Sequence, residues 1–116
     1  MTKATICIDS LETDVYIGAT EEERSRKQKI RWFISISFFD RPKACKSDLL
    51  EDTLCYDHIV NMIVETSNAK KYNLLEHLVE TAYKKIKSKE VRLLVRASKV
   101  IEGLTSYCPS FELKSD

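Results

Sequence analysis

Apolar and polar residues alternate with a period of two in four stretches of the chain, which is the pattern of a β-strand with one buried face. The alternation is clearest at 29–39, where every second residue is large and apolar. In the third stretch the apolar face is aliphatic and ends at Lys99. The predicted strands are residues 3–9 with a resumption at 15–17, residues 29–39, residues 91–99 and residues 106–113. The residues that share the apolar face of each predicted strand are Ala4, Ile6 and Ile8 with Val15 and Ile17, then Trp32, Ile34, Ile36 and Phe38, then Val91, Leu93, Val95 and Ala97, and last Tyr107, Phe111 and Leu113.

Two stretches between the second and third strands instead repeat apolar residues at helical spacing. Thr53 is a suitable N-cap for the first helix. Asn73 precedes Glu76 by three residues, which is the spacing of a capping box for the second helix. The helical stripes are Tyr56, Ile59, Val60 and Ile63, and then Leu75, Leu78, Val79, Ala82 and Ile86.

The order of elements is therefore β-β-α-α-β-β, with residues 19–27 as a charged connecting loop. This order predicts an α+β fold, in which an antiparallel sheet carries two helices on one face. A chain of 116 residues accommodates one domain, and we expect it to cover residues 1–116.

Charge and hydrophobicity narrow the classes of function. The net charge is +1, from 19 basic and 18 acidic residues whose signs alternate along the chain. Nucleic-acid binders show a basic excess or stripe, so a nucleic-acid partner is not expected. No apolar run approaches the ~20 residues that span a bilayer, so we expect no membrane partner. No apolar run has the length of a signal peptide either, so we expect a cytoplasmic protein.

The cysteines and histidines give no metal-binding pattern. None of the four cysteines forms a Cys-x-x-Cys pair, and neither histidine has zinc-site spacing to a cysteine. We expect four free thiols in a reducing compartment and no structural zinc. These residues are Cys7, Cys45, Cys55, Cys108, His58 and His77.

Four polar motifs occur in one order on this predicted topology. Residues 16–28 contain an aliphatic-Gly pair, then Glu23 five residues after Gly18 and Gln28 five residues later. The other motifs are Ser47-Asp48 followed by Asp52-Thr53-Leu54-Cys55-Tyr56, the helix start Leu74-Leu75-Glu76-His77-Leu78-Val79-Glu80, and Ser98-Lys99. Together they resemble the dihydroneopterin aldolase family, whose tunnelling-fold members cleave the side chain of a reduced pterin on the route to folate.

The resemblance implies that Glu76 anchors the pterin. A carboxylate can accept two hydrogen bonds from an amidine-like edge, such as the 2-amino group and N3 of a pterin. The competing interpretation is structural, with Glu76 completing the capping box begun by Asn73. The family resemblance further implies that Leu54 and Leu75 line the substrate site.

The same resemblance implies that Lys99 and Tyr56 transfer protons during the reaction. It also implies that Glu23 contacts the side-chain hydroxyls of the substrate. Lys99 continues an apolar strand face, so its ammonium should lie near buried surface and lose part of its solvation there. Each residue also has a structural interpretation. Lys99 could be a solvated lysine at the end of a strand, and Tyr56 could pack in the core. Glu23 could belong to an exposed acidic run. In the family the tyrosine comes from the neighbouring subunit.

The resemblance also implies chemistry without a metal, an added cofactor or a Schiff base, because the dihydropterin ring carries its own imine as electron acceptor. Family members form tetrameric rings that stack into octamers, with the sites between subunits. Trp32, Phe38 and Phe39 present more apolar strand surface than two helices need, which favours such a homo-oligomer.

The sequence leaves three different functions open beside the aldolase. The first is that of the related dihydroneopterin triphosphate epimerase, which the chain resembles in having no proline directly after Lys99 and three consecutive glutamates at 21–23. A triphosphate tail would require nearby cations, which Arg24, Arg26, Lys27 and Lys29 could supply. The second is a non-catalytic pterin-binding oligomer, and the third is a purely structural ring-forming module.

Overall fold

The computed structural model describes residues 2–103 and 105–116. Its core is a four-stranded antiparallel sheet in the order β1-β2-β3-β4, packed against two longer helices, α3 and α4. This architecture confirms the predicted α+β fold. The elements are β1 Ala4–Tyr16, α1 Glu21–Arg24, β2 Lys27–Phe38, α2 Ala44–Ser47, a 3₁₀ turn Leu50–Asp52, α3 Tyr56–Asn68, α4 Leu75–Ile86, β3 Val91–Lys99 and β4 Ser110–Lys114.

The strands follow the predicted faces closely, and β3 has the predicted bounds. β1 differs, because it runs without interruption from Ala4 to Tyr16. A register shift between Ile8 and Leu11, with Ser10 in the left-handed region at φ 61°, keeps both halves paired with β2. The last strand begins later than predicted, so Tyr107 lies outside it and forms an isolated bridge with Ile101.

The helix starts correct two sequence predictions. α3 begins after Cys55 rather than Thr53, and α4 begins after Leu74 rather than Asn73; within the described residues neither start is capped by a side chain. The predicted loop at 19–27 contains the short helix α1. No helix in residues 2–103 and 105–116 is long and apolar enough to cross a membrane. All four cysteines are free.

Trp32 lies in the centre of the core rather than on an outer surface, which corrects the argument for oligomers that used it. The indole is fully buried and donates to Thr13 Oγ1 at 2.9 Å, and Ser67 donates to the same oxygen at 2.9 Å. Phe38 packs against the core, whereas Phe39 is 53% exposed. Only Phe39 of the three therefore leaves a large apolar surface uncovered.

Candidate functional site

The chain leaves β1 through a tight turn that places Glu23 against Gly18. A methyl group at Gly18 would lie 2.1 Å from Glu23 Cβ, so only glycine permits this approach. Thr20 caps α1 by accepting from the Glu23 backbone N–H at 3.2 Å, and its hydroxyl donates to Glu23 Oε1 at 3.2 Å. The Gln28 side chain donates to the carbonyl oxygens of Ile17 and Glu23. The turn therefore fixes the position of the Glu23 side chain.

Glu23 meets Lys99, which lies 76 residues further along the chain. Lys99 Nζ donates to Glu23 Oε2 at 3.1 Å, and the lysine side chain is only 14% exposed. The hydrogen bond from Lys99 and the charge of its ammonium hold the pKa of Glu23 below its ordinary value, with smaller help from Thr20. Lys99 ends the buried face of β3, as predicted, and its backbone N–H donates to Pro109 O.

A short parallel β-bridge, called the seam below, connects Ile17 to Tyr72 and brings the start of α4 close to the Lys99–Glu23 pair. Ile17 and Tyr72 form a parallel bridge, in which Tyr72 N donates to Tyr16 O at 2.9 Å and Gly18 N donates to Tyr72 O at 3.1 Å. Tyr72 is buried, which raises its pKa, and its hydroxyl donates to Thr66 O at 2.7 Å. The seam therefore joins the turn of Glu23 to the loop that leads into α4.

The result is an open cavity of about 380 Å³ that contains four of the six predicted site residues. Among the residues that line it are Gly18, Glu23, Leu75, Glu76, Lys99 and Phe111. Within the described residues, no side-chain hydrogen bond caps α4, so the proposed Asn73–Glu76 capping box is wrong. The Glu76 carboxylate is exposed and available to a ligand with paired N–H donors.

A second cavity, of about 570 Å³, opens on the other side of the ion pair. It shares Glu23, Lys99 and Ile101 with the first cavity. Its further lining includes Arg26 and Lys29, with Gln28, Glu102 and Tyr107. An ammonium and a carboxylate thus lie where the two cavities meet, in a position to exchange protons with a molecule that occupies both.

Tyr56 and Leu54 lie at the other end of the molecule. Leu54 lines a cavity together with Phe38 and Val91, and these two residues pair at the end of the sheet opposite Lys99. Tyr56 begins α3 and is 60% exposed. β3 spans roughly 26 Å from Val91 to Lys99, so one chain cannot bring Tyr56 to Lys99.

Sequence reasoning missed several parts of the site. Thr20 precedes Glu23 by three residues, which is the capping-box spacing that Asn73 and Glu76 also show. That signal was available. Pro109, Ser110 and Phe111 also line the cavity. Their position there depends on the pairing of β4 with β3, which no local sequence pattern reveals.

Comparison with known proteins points to one family. The family model FolB, dihydroneopterin aldolase, matches residues 6–109. A probable dihydroneopterin aldolase of Chlamydia pneumoniae is 36% identical over 69 residues, covering 60% of this chain and 52% of the relative. The chain thus aligns with about half the length of this curated relative.

Solved structures show the same fold. A candidate dihydroneopterin aldolase, FolB, from Vibrio cholerae superposes with a TM-score of 0.83 at 23% identity, covering 99% of this chain and 100% of the other. Escherichia coli dihydroneopterin aldolase in complex with neopterin superposes with a TM-score of 0.76 at 22% identity, covering 95% and 98%. The shared architecture is therefore continuous over nearly the whole chain.

Proposed function

Because this chain belongs to the dihydroneopterin aldolase family, we propose that it cleaves 7,8-dihydroneopterin into 6-hydroxymethyl-7,8-dihydropterin and glycolaldehyde. One observation carries the proposal: Glu76, Leu75, Glu23 and Lys99 line a single cavity. A carboxylate for the ring and a partly buried ammonium–carboxylate pair for proton transfer are the groups that this reaction needs. The E. coli dihydroneopterin aldolase that shares the fold was solved in complex with neopterin, which carries the same side chain on the oxidised form of the ring.

Glu76 anchors the pterin ring in this proposal. Its exposed carboxylate accepts from the 2-amino group and N3 of the ring, which form a planar pair of donors. Leu75 lies beside it in the cavity wall and contacts the ring face. The α4 start therefore orients the ring so that its side chain points to Lys99 and Glu23.

Proton transfer then breaks one carbon–carbon bond. A base removes the proton from the second side-chain hydroxyl, the bond between the first and second side-chain carbons breaks, and the ring imine accepts the electron pair. The first carbon is protonated as the ring imine re-forms, and the aldehyde leaves. Lys99, acting through water, and the Tyr56 phenol move these protons, while Glu23 holds the hydroxyls. The electron pair stays within the substrate, so the proposal includes no metal, cofactor or Schiff base.

Tyr56 reaches the site from a neighbouring copy of the chain. Within one chain, Tyr56 and Leu54 lie at the sheet end opposite Lys99. A homo-oligomer, tetrameric or octameric, with sites between subunits would bring the two ends together. We place the protein in the cytoplasm, where three exposed thiols at Cys7, Cys45 and Cys108 stay reduced.

Product analysis tests the proposed reaction. The pure protein is incubated with 7,8-dihydroneopterin, and the products are oxidised, separated by chromatography and detected by fluorescence. We expect 6-hydroxymethylpterin together with an equal amount of glycolaldehyde. If the side-chain diol is inverted and no glycolaldehyde forms, the protein is an epimerase rather than an aldolase. If the pterin binds tightly but no product forms, the protein is a non-catalytic pterin binder.

A further inference from the structure

We propose that a third cavity, between the end of β1 and the end of α3, binds a diphosphate or polyphosphate group. This cavity measures about 220 Å³ and shares no lining residue with the two cavities of the candidate site. Three lysines line it, Lys27, Lys70 and Lys71, together with Tyr16 and Asp14. Because none of these residues belongs to the proposed pterin site, the inference does not depend on the reaction proposed above.

The ring of Tyr16 holds two of the three lysines. Lys27 is opposite Tyr16 in the register of β1 and β2, and its Nζ lies 5.6 Å from the ring centroid. Lys71 Nζ lies 5.6 Å from the same centroid, since the seam holds the neighbouring Tyr72 N against Tyr16 O at 2.9 Å. Both contacts are cation–π interactions. One aromatic ring therefore keeps two ammonium groups no further apart than twice this distance.

Lys70 is held at the cavity by different contacts. Its Nζ donates to His77 Nε2 at 2.8 Å and lies 5.2 Å from the centroid of the Tyr72 ring. A lysine ammonium has three N–H donors, so two of them remain for a ligand. The fold thus positions all three lysine side chains before a ligand arrives, which lowers the entropic cost of binding.

The charge of these lysines is not balanced within the protein. None of the three forms an ion pair with a carboxylate in residues 2–103 and 105–116. Asp14 also lines the cavity, and the C-terminal end of α3 adds the equivalent of about half a negative charge. Together they offset only about half of the charge of three ammonium groups. Like charges this close repel each other, and an anion between them removes that repulsion.

The size of the cavity and its donors define the class of ligand. Cavities for drug-sized ligands measure roughly 300–1,000 Å³, so one of about 220 Å³ suits a small ion or one end of a larger molecule. Lysine binds phosphate as a point charge, and Asn68 in the cavity wall can add an amide N–H. A diphosphate group carries several negative charges for the three lysines, whereas chloride carries one. The ligand is therefore a diphosphate or polyphosphate, either free or as part of a nucleotide.

Titration calorimetry of the whole protein with diphosphate, at constant ionic strength in chloride, tests this site. We expect saturable binding of one diphosphate per chain. Lys27→Ala and Lys71→Ala should each weaken it about tenfold, because each removes one ammonium group from the Tyr16 ring. Lys85→Ala is the matched control, since it removes an exposed lysine that lies outside the cavity lining. Its affinity for diphosphate should stay at the wild-type value.

A further variant tests where the anion binds. Arg26→Ala changes the larger cavity beside Lys99 and should leave the affinity for diphosphate unchanged. A loss in Arg26→Ala as large as that in Lys71→Ala would place the anion in the other cavity and overturn the proposal. The same loss in Lys85→Ala would show attraction to the net charge alone and would overturn it too, as would the absence of saturable binding.

A comparison of diphosphate with ADP identifies the source of the phosphate groups. The two ligands share the diphosphate and differ in the nucleoside. Tighter binding of ADP, lost about tenfold in Lys71→Ala, would assign the cavity to a nucleotide, whereas equal binding with the same loss would assign it to the free ion. If binding of both ligands is independent of Lys27 and Lys71, the proposal is wrong.

Discussion

The Lys99–Glu23 ion pair is the residue-scale feature on which the site depends. Lys99 is nearly buried at the end of an apolar strand face, and an ammonium there needs a charged partner. Glu23 supplies it and is itself held by Thr20. The sequence predicted both residues for the site but not their contact, because 76 residues separate them and the pairing follows only from the folded turn at Gly18.

Lys99→Ala should abolish turnover while leaving pterin affinity largely intact. In the proposed site the ring is held at Glu76, so removing the ammonium should take away proton transfer rather than the main binding contact. Single-turnover kinetics and titration of pterin fluorescence measure the two effects separately. A variant that retains near-wild-type rates would exclude Lys99 from the mechanism.

Glu76→Ala should weaken pterin binding by about 3 kcal/mol, or more than about a hundredfold, because two ring donors lose a charged acceptor. Glu80→Ala provides a control on the same helix, since Glu80 pairs with Lys84 on the surface and lies outside the cavity lining. Titration calorimetry of both variants gives the comparison. Equal pterin affinities in the two variants would contradict a role of Glu76 in binding the ring.

The lowered pKa of Glu23 predicts a pH-dependent contribution to stability. A carboxyl whose folded pKa is depressed stabilises the fold above its unfolded pKa, near 4.5, and loses that contribution as the pH falls through the folded pKa. Wild-type protein should therefore be more stable than Glu23→Gln at neutral pH, and the difference should shrink as the pH falls below about 4.5 and vanish once the pH is below the lowered pKa of Glu23. Urea unfolding of both proteins across this range measures it. A difference independent of pH would show that the ionised pair does not cause it.

At the scale of elements, the site is built where β1, α1 and the loop before α4 are joined. The parallel bridge between Ile17 and Tyr72 ties the end of β1 to the residues that precede α4. The Tyr72 hydroxyl ties the same loop to the end of α3 through Thr66 O. Glu23 and Glu76 therefore keep a fixed relation, although neither is on the sheet.

Gly18→Ala should disturb this joint and lower both stability and activity. The added methyl would overlap Glu23 Cβ at 2.1 Å, so the turn must shift and Glu23 must leave Lys99. We expect a loss of about 1–3 kcal/mol in the free energy of unfolding. Gly103→Ala is the matched control, since no described atom lies within 4 Å of its added methyl. Thermal unfolding and kcat/KM of both variants provide the measurement, and similar behaviour of the two would contradict the role of the turn.

The elements themselves were largely predictable from periodicity. Alternation at 91–99 located β3 to the residue, because one face of that strand is buried from Val91 to Ala97 and the other is more exposed. The starts of α3 and α4 were predicted from Thr53 and Asn73, which are good capping residues in isolation. The chain instead enters both helices in extended conformation at Cys55 and Leu74, so tertiary packing rather than a side-chain cap determines where these helices begin.

At the scale of the whole molecule, the predicted catalytic residues are divided between two ends. Lys99, Glu23 and Glu76 lie at one end of the sheet, whereas Tyr56 and Leu54 lie at the other. Helix α3 separates them, with Tyr56 at its start and Thr66, which is bonded to Tyr72, near its end. This division supports a site shared between copies of the chain.

A shared site predicts complementation between inactive variants. Lys99→Ala and Tyr56→Phe should each be nearly inactive alone. After mixing, unfolding and reassembly at equal amounts, about one quarter of the sites should pair an intact Lys99 with an intact Tyr56 and recover activity. Activity of the mixture is measured against each variant treated alone. No recovery in a mixed oligomer would place both residues of a site on one chain.

Trp32 gives the molecule a built-in optical signal. It is the only tryptophan of the chain, it is fully buried, and through Thr13 it joins the sheet to α3. Its emission should therefore be blue-shifted in the folded protein and move to the red when the sheet separates from the helices. Trp32 pairs with Ala97, two residues before Lys99 on β3, so it lies close to the proposed reaction site. Reduced pterins absorb where a buried indole emits, so an arriving ligand should quench this emission by energy transfer, and binding can be followed without any added dye.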